Sequence, residues 1–192
     1  MTVANDQPTL EFASQDAWEA WLAEHHDTSP GAWLKIAKAG SDHTTVSYAE
    51  ALEVALCYGW IDGQKRPLDD QFWLQRFTRR GTRSKWSKIN RTKATDLIEA
   101  GRMQPAGLRE VERATADGRW DAAYDSPRTA TVPDDLQAAL DANDAARAFF
   151  ATLDRANRYA ILYRVQDAKR AETRARRIEQ FVAMLADGRK LH

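Results

Sequence analysis

Residues 9–12 fit a short strand, and Ser14 then stands where a helix N-cap is expected, with Asp16 in the first turn. Trp18, Trp21, Leu22 and His25 recur at i, i+3, i+4 and i+7, which predicts a helix with one buried stripe. Thr28, Ser29, Pro30 and Gly31 end that helix, and residues 33–38 alternate as a strand does. Ser47 and Glu50 form a capping box ahead of a helix whose Tyr48, Leu52, Ala55 and Leu56 share a face, and Gly59 is a natural residue to follow it. Residues 61–66 and 71–78 read as two strands around Pro67, Leu68, Asp69 and Asp70, a turn-forming combination. A turn centred on the two aspartates puts Gly63 opposite Arg76 and Asp62 opposite Phe77, and Gly63 then leaves room for the guanidinium.

Beyond Ser84 the period changes from that of strands to that of helices. Ile89, Ala94, Leu97 and Ala100 are spaced to face inward, with Lys88 and Arg91 on the other side and Gly101 as the stop. A second helical segment covers residues 104–116, and the Ser, Pro, Thr and Asp content of residues 121–131 predicts a long loop. Helices are expected at residues 133–141, 143–153, 154–167 and 171–186, the last with a stripe of Ile178, Phe181, Val182 and Leu185. Tyr159, Leu162, Tyr163 and Gln166 form another stripe, in which Gln166 needs a polar partner. The pattern as a whole predicts an α+β fold: a small, mainly antiparallel sheet with two helices in the N-terminal half, and a helical C-terminal half. The expected division is an α+β domain at residues 1–84 and a helical region at residues 85–192 packed on it, or else one continuous domain.

Composition adds little to this picture until it is resolved along the chain. The 192 residues are 43% hydrophobic, enough for a real core, and carry no formal net charge. Residues 1–34 contain acidic side chains but no Lys or Arg, whereas residues 76–93 hold eight basic residues and no acidic one. Residues 60–93 also contain three of the seven tryptophans. A single cysteine, Cys57, excludes an internal disulfide or a multi-cysteine zinc site and fits a reducing compartment. With no export signal in the first residues and no membrane-length apolar run, the expected location is the cytoplasm, without membrane insertion.

The basic stretch is the first candidate site. Arg76, Arg79, Arg80, Arg83, Lys88 and Arg91 supply guanidinium and ammonium donors, and Ser84, Ser87 and Asn90 add hydrogen bonds suited to phosphate. With Trp86 offered for stacking, single-stranded nucleic acid or a phosphate-bearing small molecule is the expected ligand; the alternatives are a solvated charged loop and a protein interface. Trp60, Asp62 and Gln64, together with Arg76, form a secondary candidate in which a carboxylate beside an arginine orients a polar ligand, or else fixes the hairpin as an ion pair. No catalytic residue, metal site or cofactor is predicted. The four histidines lack metal-ligand spacing, Cys57 lies where a helix C-terminus raises a thiol pKa, and no phosphate loop, dinucleotide fingerprint or nucleophile elbow occurs. An enzyme stays open only through convergence of Asp62, Arg76 and Asn90. In the basic C-terminal segment, Arg174 is placed to lean on the apolar face and reach the front domain, while its neighbours lie on a wet surface.

Six ordered blocks, ALCYGWIDGQ, LDDQFWLQRFT, SKWSKINR, GRMQPAGL, DGRWDAAY and NRYAILYRVQDAKRAETRARRI, resemble the YdeI or OmpD-associated family, the bacteriocin-protection proteins, from about Trp33 onward. The resemblance implies a bacterial protein with an α+β front half and a helical C-terminal module, tied by name to bacteriocin or envelope-stress protection. It brings no reaction, cofactor or catalytic residue. Where relatives commonly read RFTPRR this chain has RFTRRG, with Arg79 in the proline position and Gly81 in that of an arginine. The expected function is therefore a non-enzymatic binding protein for an anionic ligand, with a protein-interaction module in stress protection as the alternative.

Overall fold

The structure, a computed structural model, describes residues 7–192; the reading of the first six residues lies outside them. Among the described residues there are a four-stranded mixed sheet and eight helices, an α+β fold with about three helices in the N-terminal half. Strand β1 (Thr9–Leu10) is followed by helix α1 (Gln15–His25), β2 (Ala32–Ala37), α2 (Tyr48–Cys57), β3 (Trp60–Pro67) and β4 (Phe72–Arg79). Helices α3 (Lys88–Glu99), α4 (Pro105–Ala116), α5 (Asp134–Asp141), α6 (Asp144–Thr152), α7 (Arg155–Gln166) and α8 (Ala171–Ala186) complete the chain.

The start signals act as expected. Ser14 accepts from the Ala17 amide, and Ser47 and Glu50 close both hydrogen bonds of the capping box. The sheet order is β1-β2-β4-β3, with β1 parallel to β2 and the other pairs antiparallel. Asp62 pairs with Phe77, and a register shift follows between Asp62 and Lys65. Gly63 sits in that bulge, where an added Cβ would lie 3.8 Å from Cβ of Arg76, so the expected juxtaposition is present. Gln75, only 3% exposed, donates from Nε2 to the Gly63 and Gln64 carbonyls at 3.0 and 3.4 Å. A buried amide thus satisfies backbone groups that the bulge takes out of the ladder.

Contacts group the chain into two compact units, one reaching Trp86 and resuming at Asn90–Ala122, the other made of Ser87–Ile89 and Ala123–His192. Helices α4 and most of α3, expected in the second region, therefore belong with the sheet. In the first unit Trp18, Leu22, Leu34, Leu56, Trp60 and Phe77 are fully enclosed. Trp60 meets Trp18 and Trp21 edge-on and donates from its indole nitrogen to the His26 carbonyl at 3.1 Å. In α3 only Ala94 and Leu97 are buried; Ile89 is 49% exposed and Ala100 is also at the surface, because a single i, i+3 pair meets the core.

In the second unit the core comprises Leu136, Leu140, Phe150, Ile161, Leu162, Val165, Ile178, Phe181 and Leu185. The buried face of α7 is thus rotated from the expected stripe, and Gln166 is exposed, with Asp125 as its partner. Arg174 is held within this unit, paired with Asp135 and donating from Nη1 to the Val165 carbonyl, while Arg177 donates to the Arg164 carbonyl. Two arginines of α8 therefore donate to carbonyls in the last turn of α7, where a helix end offers spare acceptor capacity.

The Arg174 guanidinium bonded to Asp135 holds that carboxyl below its usual 3.8. Because the folded-state value is depressed, the stabilisation is present above the unfolded value and is lost as pH falls through the folded one. Thermal melts from about pH 5 down to about pH 2 should show the native chain losing stability faster than Asp135→Asn. The half-exposed carboxylate limits the difference to about 1 kcal/mol; parallel curves would remove Asp135 from the acid response.

Candidate functional site

Alternation along β2 and β4 sends Leu34, Ile36 and Phe77 to the core and Trp33, Lys35, Leu74 and Arg76 to the opposite, open face of the sheet. On that face Thr9, Trp33 and Arg76 are in register across β1, β2 and β4, and Arg66 of β3 pairs with Leu74. Gln7, Thr9, Trp33, Gln64, Arg66, Leu74 and Arg76 line a hollow of about 420 Å³. Arg76 donates from Nε to Oε1 of Gln7 at 2.8 Å, a bond that does not use its two terminal nitrogens. The Arg66 guanidinium lies 4.4 Å above the Trp33 ring centroid, a cation–π contact that fixes a mobile side chain. Among the described residues no carboxylate lines this hollow or pairs with Arg66 or Arg76.

Of the expected site residues, Arg76 and Gln64 come together here. Asp62 does not join them: its neighbour in the ladder is Phe77, so it faces the other side of the hairpin, where the Tyr48 hydroxyl donates to it at 2.9 Å. Burial and the Asp62 charge raise the Tyr48 pKa, as expected for a phenol that keeps its proton as donor. Trp60 is a core residue with no exposed surface. The ion pair of Asp62 with Arg76 is thus replaced by two separate contacts on opposite faces.

The loop and helix residues follow different directions. Arg79 donates to the Asp27 carbonyl at 2.9 Å, and Arg83 is exposed. Arg80 is 5% exposed, stacked 3.7 Å over the Trp86 ring and bonded to the Lys85 carbonyl at 2.7 Å. Trp86 is 1% exposed and meets Trp120 edge-on at 4.8 Å, so the ring expected to stack on a ligand is enclosed by protein. The Ser84 hydroxyl accepts from the Gly81 amide, and its carbonyl accepts from Arg119. Ser87 bridges to Tyr124, and Lys88 forms an ion pair with Asp125 at 2.8 Å, both within the second unit. Arg91 donates to the Trp120 carbonyl at 3.2 Å, and Asn90 is half-buried beside it in sequence. A run of like charges in sequence is thereby distributed among separate structural contacts, since a loop entering a helix turns successive side chains to different sides.

The residues that sequence reasoning missed are Arg66, Trp33, Gln7 and Thr9. Arg66 and Trp33 sit at outward positions of recognised strands, so alternation gave a signal, but pairing Trp33 with Arg76 requires the strand order. Elsewhere in the first unit, His26, Asp27, Tyr58, Arg79, Arg109 and Arg113 line a cavity of about 280 Å³, where Arg113 pairs with Glu110, His26 lies 3.2 Å from the Asp27 carboxylate and Arg79 donates to the Asp27 carbonyl. In the second unit an apolar groove of about 730 Å³ is lined by Ala139, Ala175, Ile178, Val182 and Ala183. Cys57 is buried, with its thiol pushed up to about 11 by desolvation. Among the described residues no group of acidic, histidine or cysteine side chains has the arrangement of a metal site, and no helix is long and apolar enough to cross a membrane.

No curated protein and no solved structure matches the chain. Residues 129–188 match the family described as Bacteriocin-protection, YdeI or OmpD-Associated. The match is narrower than the blocks of similarity from Trp33 onward implied. Residues 10–110, more than half of the chain, match the Domain of unknown function (DUF8412). The chain therefore belongs to the DUF8412 family through its sheet-bearing part, and it carries a YdeI or OmpD-associated segment in its C-terminal helices.

Proposed function

We propose that this chain is a cytoplasmic, non-enzymatic binding protein for a phosphate-bearing ligand, and that the ligand sits on the open face of the sheet at Gln64, Arg66 and Arg76. The observation that carries the reading is the pair of arginines on neighbouring strands, directed into one hollow without a carboxylate partner among the described residues. Guanidinium forks bind phosphate oxygens through charge-assisted hydrogen bonds, and Gln7 and Trp33 hold both forks in place before a ligand arrives. The basic loop contributes through its exposed members, Arg79 and Arg83, which add positive potential around the unit. The single buried cysteine fits a reducing compartment.

The protein-interaction reading keeps the family name and the apolar groove of the second unit, neither of which defines an occupant. Phosphate binding is preferred because its site has defined donors. Titration of a labelled single-stranded oligonucleotide at about 50 and about 200 mM salt tests it. Binding should weaken with salt, and Arg76→Ala should weaken it about tenfold or more at low salt, the scale of a lost charge-assisted contact. Absence of binding at low salt by the oligonucleotide, a mononucleotide and inorganic phosphate alike removes the reading.

A further inference from the structure

The hollow is larger than one phosphate requires and falls in the size range of small-ligand sites. Its two arginines also differ in what they present. Arg76 is anchored through Nε to Gln7, so its terminal nitrogens form the fork that faces a phosphate. Arg66 is anchored through its face: one side covers the Trp33 ring, and the side chain is exposed. A guanidinium seated in this way offers its far side as a flat, cationic platform, the surface on which a nucleobase stacks. Trp33 itself is already covered, so Arg66 is the stacking surface available.

Gln64 stands between the two functions. Its carbonyl is held by the buried Gln75 amide, which fixes the bulge, while its side-chain amide lines the hollow with both a donor and an acceptor. Gly63 next to it has no side chain to close the space over Arg76.

Building on the phosphate reading above, we propose that the ligand is a nucleotide, with its phosphate on Arg76 and Gln64 and its base laid on the Arg66 guanidinium over Trp33. The shared chemistry is a nucleoside phosphate, whether free in solution or at a position of a single-stranded nucleic acid.

Calorimetric titrations of the full chain with adenosine 5′-monophosphate, ribose 5-phosphate, inorganic phosphate and a short oligoadenylate test the assignment. The nucleotide should bind the native chain at least about tenfold more tightly than ribose 5-phosphate, the scale of one base stacked on a protein surface. Arg66→Lys keeps the charge and loses the plane, so it should lower the nucleotide's affinity far more than that of ribose 5-phosphate and bring the two to the same level, with the thermal unfolding curve unchanged. Arg76→Lys, which replaces the fork with a point charge, should weaken all four probes together. Oligoadenylate binding more tightly than the monophosphate, with the same Arg66 dependence, assigns the source to nucleic acid; equal affinity per site assigns it to the free nucleotide, and both support the proposal. Equal binding of nucleotide and ribose phosphate by the native chain, or an undiminished preference in Arg66→Lys, overturns the base assignment and leaves the phosphate reading standing. No binding of any probe overturns both.

Discussion

Gly107→Ala should destabilise the protein by about 3 kcal/mol or more, although the same change within a helix is ordinarily favourable by up to about 1 kcal/mol. Gly107 lies in the first turn of α4, where that helix passes the end of α2, and an alanine Cβ there would come within 2.2 Å of the Cys57 carbonyl oxygen and 2.8 Å of the Leu56 carbonyl oxygen. Both atoms are backbone, so no rotamer change relieves the overlap. The Cys57 carbonyl is also held in place, because the Gln104 amide donates to it at 3.1 Å. The close approach and the hydrogen bond therefore stand or fall together. Gly101→Ala is the control: its φ of +67° costs about 1 kcal/mol in strain, but nothing lies within 4 Å of the added carbon. Urea unfolding of both variants decides the matter. A Gly107→Ala protein as stable as Gly101→Ala would show that α2 and α4 do not approach this closely.

Trp86→Ala should cost about 3 to 5 kcal/mol, the range for an enclosed large aromatic. The loss includes the edge contact to Trp120 and the cover over Arg80, a buried guanidinium that would then face a cavity. Trp86→Phe should cost far less, about 1 kcal/mol, because the indole N–H has no hydrogen-bond partner among the described residues and the ring body is retained. Phosphate and nucleotide affinity should be unchanged in Trp86→Phe. A large drop in affinity with normal stability would return Trp86 to the ligand site and sink the enclosed role described for it.

The legible parts of the chain were those governed by neighbours in sequence. The capping box at Ser47 and Glu50, the Ser14 cap, the hairpin around Asp69 and the bounds of α5 to α8 all follow from side chains acting on backbone groups a few residues away. Gly63 faces Arg76 for a different reason: the pairs next to the turn, Pro67 with Trp73 to Lys65 with Gln75, are one residue out of the register centred on the two aspartates, and the bulge between Asp62 and Lys65 restores it. Ile89 and Gln166 were misplaced because periodicity gives a direction around a helix axis without saying what lies there, and Trp86 was read from its basic neighbours in sequence. Ile89 faces solvent, while Trp86 in a basic loop is covered by Arg80 and Trp120. The candidate site was half visible. Arg76 and Gln64 were named, but Arg66 and Trp33 complete the hollow only when β4 lies between β2 and β3.

The sequence by itself determined which segments are helices and strands and where most of them begin and end. These features depend on local hydrogen bonds and on chain geometry over a few residues. Only the tertiary structure decided what the charged side chains do. It gave Asp62 to Tyr48, Arg80 to Trp86 and Arg174 to Asp135, and it left Arg66 and Arg76 together on an open face. The physical reason is that a long cationic side chain reaches whatever the fold brings within several ångströms, and strand order and helix packing, not spacing along the chain, choose those neighbours.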